Sequence, residues 1–426
     1  MAKIRPFSAV TYNPEKVSDL SGVVCPPYDV ISPEDQEMYH KLNPHNFIRL
    51  ILGKDSPEED RYKLAARLLK DWLDKGILTQ GKDPAIYFYN QVYSIKGEKK
   101  NRIGFIALLK LEEDKNVVFP HENTRSEPKE DRFRLIKAVK ANLSPIFVIF
   151  SDAARIIQRT SEKVLKSTQP VIDIVDKEGV EHQLWQITDK EALDKITSQM
   201  QDRQVFIADG HHRYEVAMNF REKMIKSGHL DPEADFNYVM AYFTNVEAKG
   251  LTVLPIHRLV RCLRGFNFEH FLVELEKYFD IEEIKEKNRF FFLLQKAGER
   301  QNTLGMYKDG KYYLLRLKNI KLLEKVADLN KPKEFRSLDI AILNSLILKK
   351  ILGMDIEDKE RIRFSHNEDE LIRESEANKN SIVFLLNSIK VEQLISIARL
   401  RERMPSKSTY FYPKVISGLV INKFNI

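Results

Sequence analysis

Cysteine is almost missing from this chain: Cys25 and Cys262 are the two thiols among 426 residues. That excludes a disulfide framework or a four-thiolate zinc site and suits a reducing compartment. No apolar run approaches the roughly 20 residues of a membrane span. The opening Met1-Ala2-Lys3-Ile4-Arg5-Pro6 leads into no long apolar core, so the expected location is the cytosol, with no membrane partner. Gly-x-Gly-x-x-Gly does not occur, which argues against a standard dinucleotide site. Gly-x-Ser-x-Gly is missing too, so an esterase elbow has no support. Gly76 to Asp83 imitates a phosphate loop, but Asp83 stands where a Ser or Thr would hold magnesium, and the stretch follows a helix instead of a strand. We read it as a helix end and turn. His121-Glu122 is no zinc-protease signature, because Arg125 occupies the place of the second histidine. There is no fixed-period repeat and no low-complexity linker. A strong charge bias is lacking as well: 69 basic against 62 acidic residues leave +7, interspersed as in Glu282-Glu283-Ile284-Lys285-Glu286-Lys287. Such a surface attracts anions mildly, and nucleic acid is not an expected partner.

What is present is an ordinary globular composition, 43% hydrophobic and 31% charged, on a chain long enough for two or three domains. Leu64, Ala65, Leu68, Leu69 and Trp72 recur at helical spacing and predict a helix from about Pro57 to Lys75, stopped by Gly76. Ile86 to Tyr89 and Ile103 to Leu108, turned at Lys96-Gly97, predict a hairpin, and Val171 to Thr188 a second one turned at Lys177-Glu178-Gly179. Helices are expected over Arg132–Ala141, Ala153–Lys166, Asp189–Met200 and Tyr214–Ile225, with strands over Ile146–Phe150, Val205–Ala208, Tyr238–Thr244 and Thr252–Pro255 completing one sheet. Beyond residue 265 come a helix over Phe268–Phe279, a hairpin turned at Asp309-Gly310, an apolar helix over Leu338–Leu352, a strand over Ser381–Leu386 and a helix over Val391–Arg401. The class is α+β, with an N-terminal α/β region over 1–99, a core over 100–262 and a C-terminal α/β lobe over 263–426.

The most informative run is Val205-Phe206-Ile207-Ala208-Asp209-Gly210-His211-His212-Arg213-Tyr214-Glu215, where an apolar strand ends in polar groups and a helix follows. Gly210 permits a tight turn and close approach of a ligand. Helix N-terminal amides, His211, His212 and the planar fork of Arg213 suit an anion, phosphate above all. Asp209 would assist a metal or an acceptor, although Asp before Gly is often only a turn former. Elsewhere, Glu122 lies on a loop from which a carboxylate can take a hydroxyl proton at about 3 Å; alternatively, Thr124 caps the following helix. Tyr28 and Asp29 after Pro26-Pro27, His257-Arg258, and Lys407 with Thr409 are further candidates for a pocket wall, as is Arg132; Pro413-Lys414 offers another cation.

The Asp209–Glu215 run resembles the signature of the family catalogued as domain of unknown function 1015. So do Cys25-Pro26-Pro27-Tyr28-Asp29-Val30, Asn43-Pro44-His45-Asn46, His121-Glu122-Asn123-Thr124, Ser144-Pro145-Ile146-Phe147, Leu254-Pro255-Ile256-His257-Arg258 and Met404 to Thr409. Asp209 to Arg213 also resembles the phosphate-binding motif of archaeal free-serine kinases, which share the ParB/sulfiredoxin-like fold. The resemblance implies that fold for the core. It implies a small-molecule kinase that transfers phosphate from ATP or ADP, with Mg2+, to a hydroxyl of free serine or a similar polar metabolite. Gly210, His211, His212 and Arg213 would then hold the donor phosphates, with Asp209 touching the metal through the Mg-nucleotide and Glu122 serving as base. Thr124, Arg132, Asp29, Tyr28, His257, Arg258, Lys407 and Thr409 would be substrate-side residues. Two rivals stand beside it: a nucleotide-binding switch without transfer, and a nucleotide hydrolase with water as acceptor.

Overall fold

The computed structural model describes every residue except 1, 57, 58, 113, 115, 263, 264, 326, 327, 329, 357 and 359. The fold is α+β, and the chain divides into two compact units. One comprises Met1–Pro120, Thr124–Thr252 and Pro413–Ile426; the other comprises His121–Asn123 and Val253–Tyr412. The boundary expected between residues 99 and 100 falls inside the strand Glu98–Lys110, so residues on both sides share a unit. A hairpin cannot be divided without exposing its ladder hydrogen bonds. The boundary expected at 263 lies outside the described residues. The second unit begins ten residues earlier, at Val253, and the final segment Pro413–Ile426 returns to the first.

The first unit is built on a nine-stranded mixed sheet. Its order runs Val118–Pro120, Val205–Asp209, Ile146–Phe150, Tyr238–Asn245, Glu98–Lys110, Ile86–Ile95, Glu181–Ile187 and Ile172–Val175, with Ile4–Arg5 pairing on Glu98–Lys110. Both predicted hairpins are there, and the first is longer than its apolar residues suggested, because backbone pairing continues to Ile95 and Glu98 around the turn. Thr252–Leu254 stands outside this sheet. One face carries the apolar core, in which Phe105, Val148, Phe150, Ala241 and Phe243 meet Ile157, Ile196 and Met200 from the helices Ile156–Ser167 and Lys190–Gln201. The helix Arg61–Asp74 is capped by Asp60, whose carboxylate accepts the Tyr62 and Lys63 amides. Its expected start at Pro57 lies outside the described residues. Trp72 is buried in the core cluster that holds Val10, Tyr12, Phe47 and Leu69, with its ring against Tyr12 and His45.

Helix ends moved where tertiary contacts overrode local pattern. The helix expected over Arg132–Ala141 spans Ser126–Val139, because Ala141 pairs in a short strand with Lys423. The helix expected to begin at Tyr214 begins at His211.

The second unit holds a six-stranded sheet in the order Phe279–Ile284, Lys311–Leu317, Thr303–Lys308, Ser381–Leu385, His257–Arg261, Ile362–Ser365. The expected helix over Phe268–Phe279 ends at Glu276, since Phe279 opens the first of these strands. Asp309 and Gly310 both take positive φ, +48° and +81°, which matches the twist of the tight hairpin they turn. Leu259, Phe290, Leu314, Val383 and Leu385 form its core.

Candidate functional site

Val205 to Ala208 are buried, and the pairing of their strand with Ile146–Phe150 slips register between Ile207 and Asp209. Such an irregularity re-aims the side chain that follows it. Gly210 then takes φ +86°, a conformation that favours glycine, and a Cβ there would crowd the Arg213 guanidinium at 3.0 Å. The helix His211–Lys226 starts at once. The anion motif is therefore a strand end, one left-handed glycine and a first helical turn; His211, His212 and Arg213 lie in that turn and not in a loop. The first amides of a helix have no partner within it, and its N-terminus carries a partial positive charge.

Asp209 is clamped between two cations. Its Oδ2 accepts from Arg213 Nη2 at 2.8 Å and its Oδ1 from Lys414 Nζ at 2.5 Å. The three side chains are 16%, 12% and 11% exposed. Arg213 Nη1 also donates to the Pro145 carbonyl. Burial works to raise the Asp209 pKa, but the charges of Lys414 and Arg213, with help from His211, hold the carboxyl well below the usual carboxylate range. Two cations and one carboxylate leave a local charge of about +1 at a positive helix end, which attracts an anion. Because the Asp209 pKa is depressed on folding, its contribution to stability is present above the unfolded value near 3.9 and is lost as pH falls below it. Thermal midpoints of Asp209→Asn and the native chain from pH 7 down to 3 should accordingly converge as the pH falls. A gap that stays constant would show that Asp209 is not held as a clamped anion.

The two histidines differ. His211 is buried at 5% exposure. His212 Nε2 accepts the Arg125 backbone N–H at 3.0 Å, which requires a lone pair on that nitrogen and hence a neutral ring with its proton on Nδ1. His212 thus fastens the segment ahead of the helix Ser126–Val139, and through Nε2 it donates nothing to a phosphate. Thr124 caps no helix: its hydroxyl donates to Glu215 Oε2 at 2.6 Å, and Lys129 Nζ reaches the same oxygen at 3.2 Å. Arg125, not Thr124, holds the N-cap position, without a side-chain cap bond.

Arg132 lies over the Tyr28 ring at 4.1 Å and donates to the Ile51 carbonyl at 2.6 Å. Both residues join Arg213 and Ser144 around a cavity of about 60 Å³. Burial pushes the Tyr28 phenol up, so it stays a neutral O–H. Asp29, by contrast, is exposed and does not line the cavity.

Lys414 reaches Asp209 because the C-terminal segment is tied down behind it. Arg102, wholly buried, donates to the Pro413 carbonyl at 2.5 Å and to Gln91 Oε1, and Gln91 donates to the Lys414 carbonyl at 2.9 Å. The Arg102 guanidinium also lies over the Phe147 ring at 4.7 Å. Further on, Cys25 and Ser417 bridge through their backbones, while the Ser417 hydroxyl meets Ser144 Oγ at 2.6 Å. Sequence reasoning missed Arg102 and Gln91, and it gave Glu215, though quoted in the motif, no role. The available signal was two long polar side chains, Gln91 and Arg102, facing each other across a hairpin that is otherwise apolar at its centre.

The remaining candidates fold in the second unit. Glu122 bridges Met404, its Oε1 accepts the Lys407 backbone N–H at 3.1 Å, and its carbonyl accepts from Arg403. His121 Nε2 lies 3.3 Å from Thr409 Oγ1. His257 and Arg258 are buried in a strand: His257 Nδ1 accepts the Leu386 amide, and Arg258 donates to the Lys407 carbonyl. Burial lowers the Arg258 pKa to about 9 against the opposing pull of Glu122. Lys407 itself is exposed. The structure thus brings Asp209, Gly210, His211, His212, Arg213, Tyr28 and Arg132 into one unit, and gathers Glu122, His257, Arg258, Lys407 and Thr409 in the other.

Among the described residues, no group of three or more His, Cys, Asp or Glu side chains is placed to hold a metal ion. Asp209 already engages both oxygens with cations. Nor is any helix among them long and apolar enough to cross a membrane.

A family model described as Protein of unknown function (DUF1015) matches residues 4–341. No curated protein matches the chain. Among solved structures, a free serine kinase in complex with AMP aligns at 12% identity and TM-score 0.33, covering 72% of this chain and 86% of that one. A conserved hypothetical protein from Pyrococcus furiosus aligns at 12% and 0.33, covering 73% and 92%. SbnI with C-terminal truncation from Staphylococcus aureus aligns at 10% and 0.37, covering 74% and 86%.

Proposed function

The chain belongs to the DUF1015 family, and on that footing we propose that its Asp209–Arg213 turn binds the phosphates of ATP or ADP for transfer to a hydroxyl of free serine or a similar polar metabolite. The observation that carries this reading is the charge cluster at the helix end: Arg213 and Lys414 clamped by Asp209 at the N-terminus of the helix His211–Lys226. Phosphoryl transfer depends on positioning and on charge stabilisation, with little covalent work for the protein. A carboxylate that fixes two cations before the ligand arrives lowers the cost of organising them. Asp209 therefore acts as an organiser of Arg213 and Lys414, and magnesium enters as part of the nucleotide substrate. The amides after Gly210 contact the anion, and Tyr28 and Arg132 form a wall beside Arg213. Glu122 is assigned the hydroxyl proton from the family resemblance alone.

One observation favours a second reading, nucleotide binding without transfer. Both Asp209 oxygens are engaged by cations, which holds its pKa down and makes that carboxylate a weak base toward an acceptor hydroxyl. Phosphorus NMR of the purified protein with magnesium and ATP, then ADP, against a pool of serine, other hydroxyl amino acids and polyols separates the readings. A new phosphomonoester signal is the expected result, and Glu122→Gln should abolish it while sparing nucleotide binding. Nucleotide binding with no ester would replace the kinase by the switch. Free phosphate released at a rate indifferent to the pool would make the protein a hydrolase.

A further inference from the structure

We infer that the Val253–Tyr412 unit carries a ligand site of its own, for a small organic anion with a planar or apolar body. The apolar helix expected over Leu338–Leu352 is present, but only Asp339–Ile342 is α-helical; Leu343–Ile351 is wound as a π-helix. A π-turn leaves the backbone less well packed than an α-turn and is found frequently at functional sites. Here the wide segment presents Asn344, Ser345 and Lys349 to a cavity of about 600 Å³. Ligand sites for molecules of cofactor size span about 300–1,000 Å³.

The chemistry of the wall selects the ligand. Phe335 and Met354 supply apolar surface, Lys331, Arg336 and Lys349 supply positive charge and Asp328 and Asp355 negative charge, so the selection for an anion rests on Arg336. Lys331 is neutralised by Glu402 at 2.7 Å. Arg336 is not: its backbone N–H donates to Pro332, but among the described residues its side chain has no hydrogen bond or ion pair, and its Nε is buried without an acceptor. A buried donor left unmet is costly, more so when charged, and an incoming acceptor removes that cost. The guanidinium fork fits a carboxylate or phosphate with two parallel bonds. Asn344, half-buried and with no side-chain partner among the described residues, would orient a polar group on the ligand body. Asn344, Lys349 and Met354 lie beyond residue 341, where the family match ends. The site is independent of the nucleotide reading.

The test uses the full chain labelled with 13C at the methionine methyls, with phenyl phosphate as probe and the Met354 signal assigned through Met354→Leu. Phenyl phosphate should shift the Met354 methyl saturably. Arg336→Met should weaken that binding by about tenfold or more, the scale of a lost charge-assisted contact, with the other methionine signals unmoved as the check on folding. Lys350→Met, on the same segment but outside the wall, should bind as the native chain does. The proposal fails if Met354 shows no saturable shift, if Arg336→Met binds equally well, or if neutral phenol binds as tightly as phenyl phosphate.

Discussion

Replacing Arg213 by alanine should lower phosphate transfer by roughly a hundred- to a thousandfold, the range for removal of one preorganised donor that faces developing charge. The fold should survive, because Asp209 keeps Lys414 and so is not left as a lone buried carboxylate. The Pro145 carbonyl loses one donor, and a thermal midpoint lower by a few degrees is expected from that alone. Nucleotide titration by calorimetry and the rate of phosphomonoester formation are the measurements, with far-ultraviolet circular dichroism as the control. A variant that binds nucleotide and turns over like the native chain would remove the Asp209–Arg213 turn from the phosphate site. Arg213→Lys makes the comparison sharper. It restores the charge but not the fork that reaches both Asp209 and Pro145, and it should recover only part of the loss.

The second large effect concerns a residue that no motif singled out. Arg102→Met should destabilise the first unit by about 3–5 kcal/mol, since it strips a buried charged donor from the Pro413 carbonyl and from Gln91 together. The same change should weaken nucleotide binding without touching any phosphate contact, because Pro413 and Lys414 are held through that network. Urea unfolding followed alongside nucleotide affinity checks both halves. If stability falls while affinity stays native, the Arg102–Gln91 pair does not position Lys414. Lys414→Met, which removes the cation but keeps the bonds to its backbone, should show the reverse pattern: weaker binding on a fold of near-native stability.

Much of the local structure was legible from residue spacing. The hairpins turned at Lys96-Gly97, Lys177-Glu178-Gly179 and Asp309-Gly310 were found because turn residues and flanking apolar runs are local signals. Element ends were less so. Ala141 leaves its helix to pair with Lys423, a partner 282 residues away that no window over residues 132–141 contains. His211 to Arg213 are helical because Gly210 takes the positive φ that ends the strand, whereas polar residues after Asp-Gly read equally well as a loop. Arg258 was legible as a candidate for a pocket wall, but its burial was not, because that depends on the Lys407 carbonyl that receives it.

The sequence by itself determined the α+β class, the family, and a strand that ends in Asp209-Gly210 before a helix. Each rests on residues adjacent in the chain, where spacing and backbone preference are the whole of the cause. Only the tertiary structure decided what those groups do. It set Lys414 against Asp209 across 205 residues, made His212 an acceptor by presenting the Arg125 amide, and folded Glu122 with the Val253–Tyr412 unit. The physical reason is that a side chain's charge state and hydrogen-bond role are fixed by whichever partner the fold delivers within about 3 Å. Local periodicity carries no record of that partner.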